Sequence, residues 1–468
     1  ERTIAAIYRP GSPSWHHFLT PGQFTSEFAP SPAQVARLSR ELARVGLRPG
    51  QVSSNHLMLP FTGTAASLDR VFGVHLVEVS GRGGILLRAS DVTGRLPAFL
   101  AGLADAVVGL SNLDQLEIQR LDLPGQGNKL LAIPARYNPN QFFQIYDATG
   151  PYLGQGQAIA VIAEGSLKQT PSDLYNFDRR YHLPFAKINK IRIGKSDDNT
   201  DGSLEWDLDT QYASSWAPDA KLMVYVGSGF SVATMVATIN MWVTQDVAKQ
   251  ASFSIGECET TAQATGFEKS LDQVLMEAVA QGQSFFAPSG DTGSACHGEP
   301  LGIALDIPIG QPGVDYPAAS PYAVAVGGTS LLGGPGPLRE VAWLYGGGGP
   351  SLTEPEPPYQ VRAGGSYLGI LRGTPDVSLD ADPMTGYDVI QGLSLIHISE
   401  PTWLGLWARA QSAHGGNLGF ANYTIYTEPE AAFNQIIVGT NGLWPATPFW
   451  SYAVGRGSPN VDVFVADA

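Results

Sequence analysis

The sequence predicts an α/β fold built on a buried parallel sheet, with a smaller α+β unit in front of it. From about residue 136, short apolar runs alternate with helical runs, a pattern typical of parallel strands covered by helices on both faces. Before that point, strand-like and helical segments alternate over roughly 110 residues, as in a small α+β unit. The length of 468 residues also exceeds what one core usually supports, so we expect at least two folding units.

The first unit spans residues 1–115 and shows no catalytic cluster. Ser31 followed by Pro32 is typical of a helix start, and apolar residues then recur at helical spacing until Gly46. Thr64 is predicted to cap a second helix, and the runs NHLMLPFTG and VHLVEVS are strand-like. Residues 116–135 are predicted to be a linker, because Gly, Pro and Gln interrupt the pattern.

The second unit spans residues 136–468. Its predicted strands are QAIAVIAEG, KLMVYVGSG, ASFSIGECE, QSFFAPSGD and PYAVAVGGTS, and its predicted helices include SVATMVATINMWVTQ, TGFEKSLDQVLMEAVAQG and PTWLGLWARAQSAHG. In parallel sheets, functional groups collect at the carboxyl ends of the strands. The polar ends GECE, PSGDTGSACHG and GGTS are therefore the places to look for chemistry.

Composition narrows the classes of partner. The formal net charge of -15 and the pI of about 4.9 argue against nucleic acid or an anionic membrane surface. No apolar run approaches the roughly 20 residues of a membrane span. No lysine follows Lys269, which suits an acidic exterior, although an ordinary acidic soluble protein fits the composition equally well. The chain opens with Glu1 and shows no signal peptide, and we expect that such a peptide lies outside this sequence.

Two carboxylates in LEWDLD form the first candidate site. Glu205 and Asp209 are four residues apart and share one face of a helix, whereas Asp207 points elsewhere. In a cleft, such a pair can share a proton and separate its two pKa values. The alternative is a solvated acidic helix face.

Other residues are weaker candidates. Asp291 follows an apolar strand in SGDTGS, but a pepsin-like enzyme needs a second such loop and an all-β fold, and the sequence indicates neither. Ser330 follows a strand but precedes a turn, so we interpret it as structural. The eight histidines give no metal or triad spacing, and we interpret His16-His17 as surface or local packing. Cys258 and Cys296 could be two free thiols or one bridge.

Taken in order, these segments resemble the sedolisin family of kumamolisin-like serine-carboxyl peptidases. YRPGSPSWHHFLTPGQF resembles the activation prodomain, and Glu205-x-x-x-Asp209 before APDAKLMVYV resembles the carboxylate pair of the family. SGDTGS resembles the loop with the oxyanion aspartate, and YPAASPYAVAVGGTS and PDVSLDADPMTGY resemble the stretches before the catalytic serine. The order and spacing of the motifs, over nearly the whole chain, make the resemblance specific.

The resemblance implies a subtilisin-like catalytic domain behind a ferredoxin-like prodomain that acts as intramolecular inhibitor and chaperone. It implies Glu205 as general base, Asp209 as the residue that orients it, and Asp291 as oxyanion donor. It also implies a substrate-binding strand with Ser254, Ile255 and Gly256, and a disulfide between Cys258 and Cys296. We expect a secreted monomer that cleaves protein or peptide substrates at acidic pH, because a glutamate base still works where a histidine is protonated.

The chain departs from the family at the nucleophile. In the family, the serine of a Gly-Thr-Ser turn stands four residues before a proline at the start of the last helix. Counting back from Pro401 places His397 there, after Leu395 and Ile396. Residues 393–402, LSLIHISEPT, are what the codons CTG TCT CTT ATA CAC ATC TCC GAG CCC ACG would encode, and that string resembles a transposase-type sequencing adapter. We interpret them as a foreign segment that replaced the natural loop; the rival hypothesis is a pseudopeptidase that binds peptides without cleaving them.

A second departure concerns calcium, which the family binds near its C-terminus through two aspartates and three backbone carbonyls. FNQIIVGTNGLWPATPFWSYAVGRGSPN matches that frame. Gln435 and Ser451 stand at the aspartate positions, and the backbone ligands would be Ile436, Thr447 and Phe449. Because calcium prefers charged oxygen ligands, we expect the site to be weak or empty.

Overall fold

The computed structural model describes residues 1–80, 86–90, 95–111, 115–118, 137–195, 198–296, 312–333, 338–362, 370–392, 394–396 and 402–468. Its larger part is an α/β sandwich around a mainly parallel sheet, as the sequence predicts, and an N-terminal part rests against it. No helix among these residues has the length and apolar character needed to cross a bilayer.

The N-terminal part combines short helices with two-stranded antiparallel ribbons, in which β1 pairs with β2 and β3 with β4. Its elements are α1 (Arg2–Ile7), α2 (Pro21–Glu27), α3 (Pro32–Arg44), β1 (Arg48–Pro49), β2 (Phe61–Thr62), α4 (Ala65–Phe72), β3 (Leu76–Ser80), β4 (Leu86–Ser90), a 3₁₀ turn at Ala98–Leu100 and β5 (Glu117–Ile118). A small core joins Leu42, Leu47, Leu68, Phe72, Val74 and Leu100.

Both predicted helix starts in this part are confirmed. The hydroxyls of Ser31 and Thr64 accept hydrogen bonds from the third residue of each helix, and Gln34 completes a capping box with Ser31. The predicted strand NHLMLPFTG is wrong except at Phe61–Thr62. Its first residues form a turn, because His56 adopts a left-handed φ of 59° that interrupts an extended strand.

Among the described residues, the main sheet has eight strands, and its pairings are parallel except that between β13 and β14. The strands are β6 (Ala158–Glu164), β7 (Ile188–Arg192), β8 (Lys221–Gly227), β9 (Gln250–Ser252), β11 (Ser284–Pro288), β13 (Val324–Leu332), β14 (Arg339–Ala342) and β17 (Val377–Asp380). Their order is β14-β13-β11-β9-β6-β8-β7, and β17 also pairs with β13. All residues of β6 are buried, which explains the unbroken apolar run in the sequence.

Helices cover the sheet and short ribbons surround it. The helices are α5 (Pro139–Ile145), α6 (Thr170–Tyr181), α7 (Ser203–Trp216), α8 (Val232–Gln245), α9 (Glu259–Thr265), α10 (Phe267–Ala280), α11 (Pro358–Arg362), α12 (Thr402–Ala413), α13 (Ala421–Ile425) and α14 (Val461–Asp467), with a 3₁₀ turn at Glu430–Ala432. The remaining strands are β10 (Ile255–Cys258), β12 (Asp315–Tyr316), β15 (Gly349–Pro355), β16 (Leu371–Thr374), β18 (Val389–Gln391), β19 (Ser394–Ile396), β20 (Phe433–Asn434) and β21 (Ser458–Pro459).

The N-terminal part is joined closely to the larger one. Ile4, Ile7 and Tyr8 of the first helix and turn belong to the main hydrophobic core. The Tyr8 hydroxyl donates to the carbonyl of Val279 and accepts from the amide of Phe420. Most of the predicted linker lies outside the described residues, and its first residues form β5.

Candidate active site

The helix α7 carries the predicted carboxylate pair, and it is buried from its third residue onward. Every residue from Glu205 to Trp216 is buried, including Asp207 and Asp209. Large side chains such as Trp206, Tyr212 and Trp216 hold the helix in the core. The alternative of a solvated acidic face is therefore excluded.

Asp209 is fully buried beside the loop between β9 and β10. Its Oδ1 atom accepts a hydrogen bond of 2.9 Å from the hydroxyl of Ser254. Burial raises the pKa of the Asp209 carboxyl well above its usual range, and the Ser254 hydrogen bond offsets part of this rise. Asp209 therefore keeps its proton in acid, one helical turn from Glu205, which is itself only 1% exposed.

Asp207 lies on the other side of α7 and faces α6, as its position in the sequence indicates. Burial, and then the charge of Asp173 on α6, raise the pKa of Asp207 to about 8, while the side chains of Thr170 and Gln391 lower it. Asp173 is also fully buried. This second carboxyl pair was not predicted from the sequence, because nothing in the local pattern of α6 distinguishes Asp173 from a solvated helix residue.

Glu164 is another buried carboxylate that was not predicted from the sequence. It is the last residue of β6 and is fully buried, and Asn199 Nδ2 lies 3.4 and 3.5 Å from its two oxygens. A strand that ends in a buried acid at the carboxyl edge of a parallel sheet was the available signal.

The loop of Asp291 begins where β11 ends, and Asp291 is 7% exposed. The Gly-rich segment after Tyr345 holds this loop in place through two hydrogen bonds. The Ser289 hydroxyl donates to the Gly347 carbonyl, and the Gly347 amide donates to the Gly290 carbonyl, both at 2.7 Å. A Cβ atom on Gly347 would stand 1.9 Å from the Ser289 carbonyl oxygen, so no other residue fits there without a shift.

The predicted strand ASFSIGECE is in fact two strands. β9 belongs to the main sheet, whereas β10 leaves it and pairs on one side with β12 and on the other with β5. In the antiparallel β5–β10 pair, Ile255 is opposite Ile118 and Gly256 is opposite Glu117. The N-terminal chain thus lies along the strand that carries the predicted substrate-binding residues, in the manner of an added peptide strand.

Ser254 has a side chain that is used within the protein. Its hydroxyl donates to Asp209, so the side chain supports the carboxylate, and the expected pairing of substrate with the backbone of this segment stays a prediction.

The start of α12 lies at the edge of the sheet formed by the carboxyl ends of the parallel strands. A small cavity beneath it is lined by Ser252, Phe286, Ala287, Pro288, Val326, Leu379, Thr402, Trp403 and Leu404. Gly405 brings α12 against α7, since a Cβ atom at Gly405 would lie 2.5 Å from the Cβ of Trp216. His397, at the predicted nucleophile position, lies outside the described residues.

The strand before the predicted nucleophile is tied directly to α7. Gln211 Nε2 donates to the carbonyl of Ile390 at 2.7 Å, and its Oε1 accepts from the Ile390 amide at 2.9 Å. The Tyr212 hydroxyl donates to the Asp388 carbonyl. The helix with Glu205 and Asp209 therefore holds β18 as well as α12, so both flanks of the nucleophile segment rest on it.

The structure also places the remaining candidates. Ser330 lies in β13 and donates to Asp382 Oδ2 at 2.7 Å, and its interpretation as a structural residue stays a prediction. Cys258 and Cys296 form a disulfide that ties the end of β10 to the loop after Asp291. His16 stacks on Trp15, with ring centroids 4.0 Å apart, and burial lowers its pKa.

The predicted metal positions Gln435, Ile436, Thr447, Phe449 and Ser451 lie in the loop between β20 and β21. Among the residues that the structure describes, no group of three or more His, Cys, Asp or Glu could hold a metal ion.

Comparison with known proteins agrees with this arrangement. Residues 1–113 match the Pro-kumamolisin activation domain. Sedolisin from Pseudomonas sp. (strain 101) is 30% identical over 495 residues, which cover 97% of this chain and 82% of that protein. The chain belongs to the sedolisin family. Its N-terminal part is accordingly an activation prodomain, and the family is one of serine-carboxyl peptidases.

Other members are similar to this sedolisin-family chain. Kumamolisin from Bacillus sp. (strain MN-32) is 30% identical over 440 residues, covering 85% of the chain and 76% of that protein. Xanthomonalisin from Xanthomonas sp. (strain T-22) is 28% identical, and the chain spans 62% of its length. A solved structure of Pseudomonas sedolisin, a serine-carboxyl proteinase complexed with two molecules of pseudo-iodotyrostatin, superimposes with a TM-score of 0.66 at 30% identity and covers 71% of this chain and 98% of that one.

Proposed function

We propose that this chain is the precursor of an endopeptidase that cleaves peptide bonds at acidic pH with Glu205, Asp209 and Asp291, and that its serine belongs where His397 stands. The observation that carries the proposal is the burial of Asp209 next to Ser254 on the helix of Glu205. Such a carboxyl is neutral in acid, and a neutral carboxyl can donate a hydrogen bond to a neighbouring carboxylate.

In the proposed reaction, Glu205 accepts the proton of the serine hydroxyl as it attacks the substrate carbonyl. Asp209 donates to Glu205 and keeps it oriented. Asp291, when protonated, donates to the oxygen that becomes negative in the tetrahedral intermediate. A histidine base would be protonated and unable to accept a proton under the same conditions.

Substrate would lie along β10 and bond to the backbone of Ser254, Ile255 and Gly256. The pairing of Glu117 and Ile118 with the same strand supports this assignment, and it also supports inhibition in the precursor, because β5, just after the prodomain, fills the edge that a substrate needs. The substrates we propose are therefore extended segments of proteins or peptides.

A peptide cleavage assay at about pH 4, near the ordinary pKa of a carboxyl, tests the proposal on two chains. One is the chain as written, and the other carries Leu395→Gly, Ile396→Thr and His397→Ser. We expect cleavage only by the second chain, and we expect Glu205→Gln in that chain to abolish it. Circular dichroism of each variant verifies that a silent chain is folded.

Resequencing the locus from a library made without that adapter tests the origin of residues 393–402. Recovery of Gly-Thr-Ser codons in place of the foreign segment is the expected result, and recovery of the same ten codons would refute it.

A non-catalytic peptide-binding homologue is the second candidate function, and the residue at the nucleophile position, His397, favours it. If neither folded chain cleaves a peptide while calorimetry detects peptide binding after removal of the prodomain, the chain is a binding protein and the first proposal is wrong.

We also propose that the protein is secreted and monomeric. The disulfide between Cys258 and Cys296 supports an oxidising compartment. Free thiols at both positions in a mass analysis without reductant would contradict secretion into an oxidising compartment. A dimer by light scattering would contradict the monomer.

A further inference from the structure

The loop between β20 and β21 corresponds to the region in which the family resemblance implies calcium, and every residue of the loop is described. Phe433 and Asn434 pair with Pro459 and Ser458 at its base. The donor set does not suit calcium, which takes about six to eight oxygen ligands and prefers carboxylates. Residues 433–459 contain no Asp or Glu, and their one charged side chain is the cation Arg456.

The polar side chains at the two key positions are already used within the protein. Gln435 Oε1 accepts a hydrogen bond of 2.7 Å from the amide of Phe449. Ser451 Oγ accepts from the amide of Val454 at 3.3 Å. In each case a backbone N–H donates to the side-chain oxygen that a cation would need. The Gln435 carboxamide therefore forms a hydrogen bond within the protein and is not a metal ligand.

The Gln435 hydrogen bond spans the loop and fixes an unusual conformation. Phe449 has a φ of 70°, in the left-handed region that a bulky residue rarely adopts. The bond to its amide connects this strained residue with the strand end at Gln435, which is the connection that a shared ion would otherwise supply.

Arg456 gives a second connection without a metal. Its guanidinium donates to the carbonyls of Ile425 and Glu428 at 3.0 Å and lies 4.5 Å from the ring centroid of Phe433. A fixed positive charge at the base of the loop also disfavours a divalent cation nearby.

We propose that this loop closes without calcium, and that the hydrogen bond from the Phe449 amide to Gln435 takes the place of the metal. The stability of the folded chain then does not depend on calcium. Carboxylates at positions 435 and 451 would be needed to turn this metal-free loop into a calcium site.

Thermal unfolding of the full chain, with about 10 mM calcium or with a chelator, tests the proposal without any activity assay. The unmodified chain is expected to melt at the same temperature in both. Gln435→Ala is expected to lower the melting temperature by about 2 °C or more in both conditions. Gln263→Ala, which truncates an exposed glutamine on α9, is the matched control and should leave it unchanged.

The double variant Gln435→Asp with Ser451→Asp tests the role of charge. Calcium is expected to raise its melting temperature by about 2 °C or more, because an ion that binds only the folded state stabilises it.

A chelator that lowers the melting temperature of the unmodified chain would overturn the metal-free loop. A Gln435→Ala variant that melts like Gln263→Ala would overturn the role of the hydrogen bond, and a double variant without calcium response would overturn the assignment of charge to these positions.

Discussion

Ser254 has a side-chain contact that the sequence did not predict. Its hydroxyl donates to Asp209, and this bond lowers a pKa that burial raises. In the chain with the restored Gly-Thr-Ser turn, we expect Ser254→Ala to move the alkaline limb of the pH–rate profile to higher pH, because Asp209 then holds its proton more tightly. We also expect kcat to fall about tenfold or more, because Asp209 is less well oriented.

Ser254→Thr keeps a hydroxyl and should restore the position of that limb. If Ser254→Ala raises KM alone and leaves the pH profile in place, the side chain contacts substrate instead, and its support of Asp209 is wrong.

Residues that act within one helix were predictable from the sequence, whereas partners from other elements were not. Glu205 and Asp209 follow from a spacing of four along one helix. The contact of Asp209 with Ser254 joins residues 45 positions apart, and Asp173 meets Asp207 only because α6 packs on α7. Periodicity identifies the face of a helix and gives no information on what covers it.

At the scale of elements, the sequence predicted the long strands and helices and failed where a run changes its sheet. The run ASFSIGECE was predicted as one strand, yet the amide of Phe253 bonds to the Phe286 carbonyl and the chain then leaves the sheet as β10. This departure creates the free edge on which β5 lies. Hydrophobicity alone cannot show it, because both strands are buried.

The crossing of α12 over α7 depends on Gly405. A Cβ atom there would lie 2.5 Å from the Cβ of Trp216 and 3.0 Å from the Ala213 carbonyl. We expect Gly405→Ala to lower the free energy of unfolding by about 1–3 kcal/mol, because two backbones must separate in a packed core. Urea unfolding measures the loss.

Gly416→Ala is the matched control for this prediction. Gly416 follows the same helix and has open space around the position of a Cβ atom, so its substitution should change the free energy of unfolding by less than about 1 kcal/mol. Equal losses in the two variants would show that the close helix crossing does not limit stability.

At the scale of the whole molecule, the first helix and turn of the prodomain belong to the core of the larger part. The Tyr8 ring stacks on Tyr423 with centroids 4.2 Å apart. Asn55 Nδ2 donates to Asn240 Oδ1 at 2.7 Å and to Glu277 Oε2 at 2.6 Å. The sequence indicated separate units because composition and element order change between them. Their contacts join residues more than 180 positions apart, which no local pattern reports.

Buried carboxyls give the whole molecule its dependence on pH. Burial raises the pKa of Asp207 to about 8 and the pKa values of Glu277 and Glu428 to about 7. In the unfolded chain these groups have pKa values of about 4. Between the unfolded and the folded pKa values, the folded state therefore holds more protons than the unfolded state. The stabilisation from these groups is complete below about pH 4 and is lost as the pH rises through the pKa values of the folded state.

We therefore expect the free energy of unfolding, measured by urea titration at a series of pH values, to be highest near about pH 4 and to fall by several kcal/mol toward about pH 8. Each extra proton held by the folded state contributes about 1.4 kcal/mol per pH unit.

Asp207→Asn keeps the shape of the side chain without its charge. The substitution should leave the free energy of unfolding nearly unchanged at about pH 4 and raise it at about pH 8, because Asp173 then faces an amide. A flat profile, or equal effects of the variant at both pH values, would contradict the assignment of acid stability to these carboxyls.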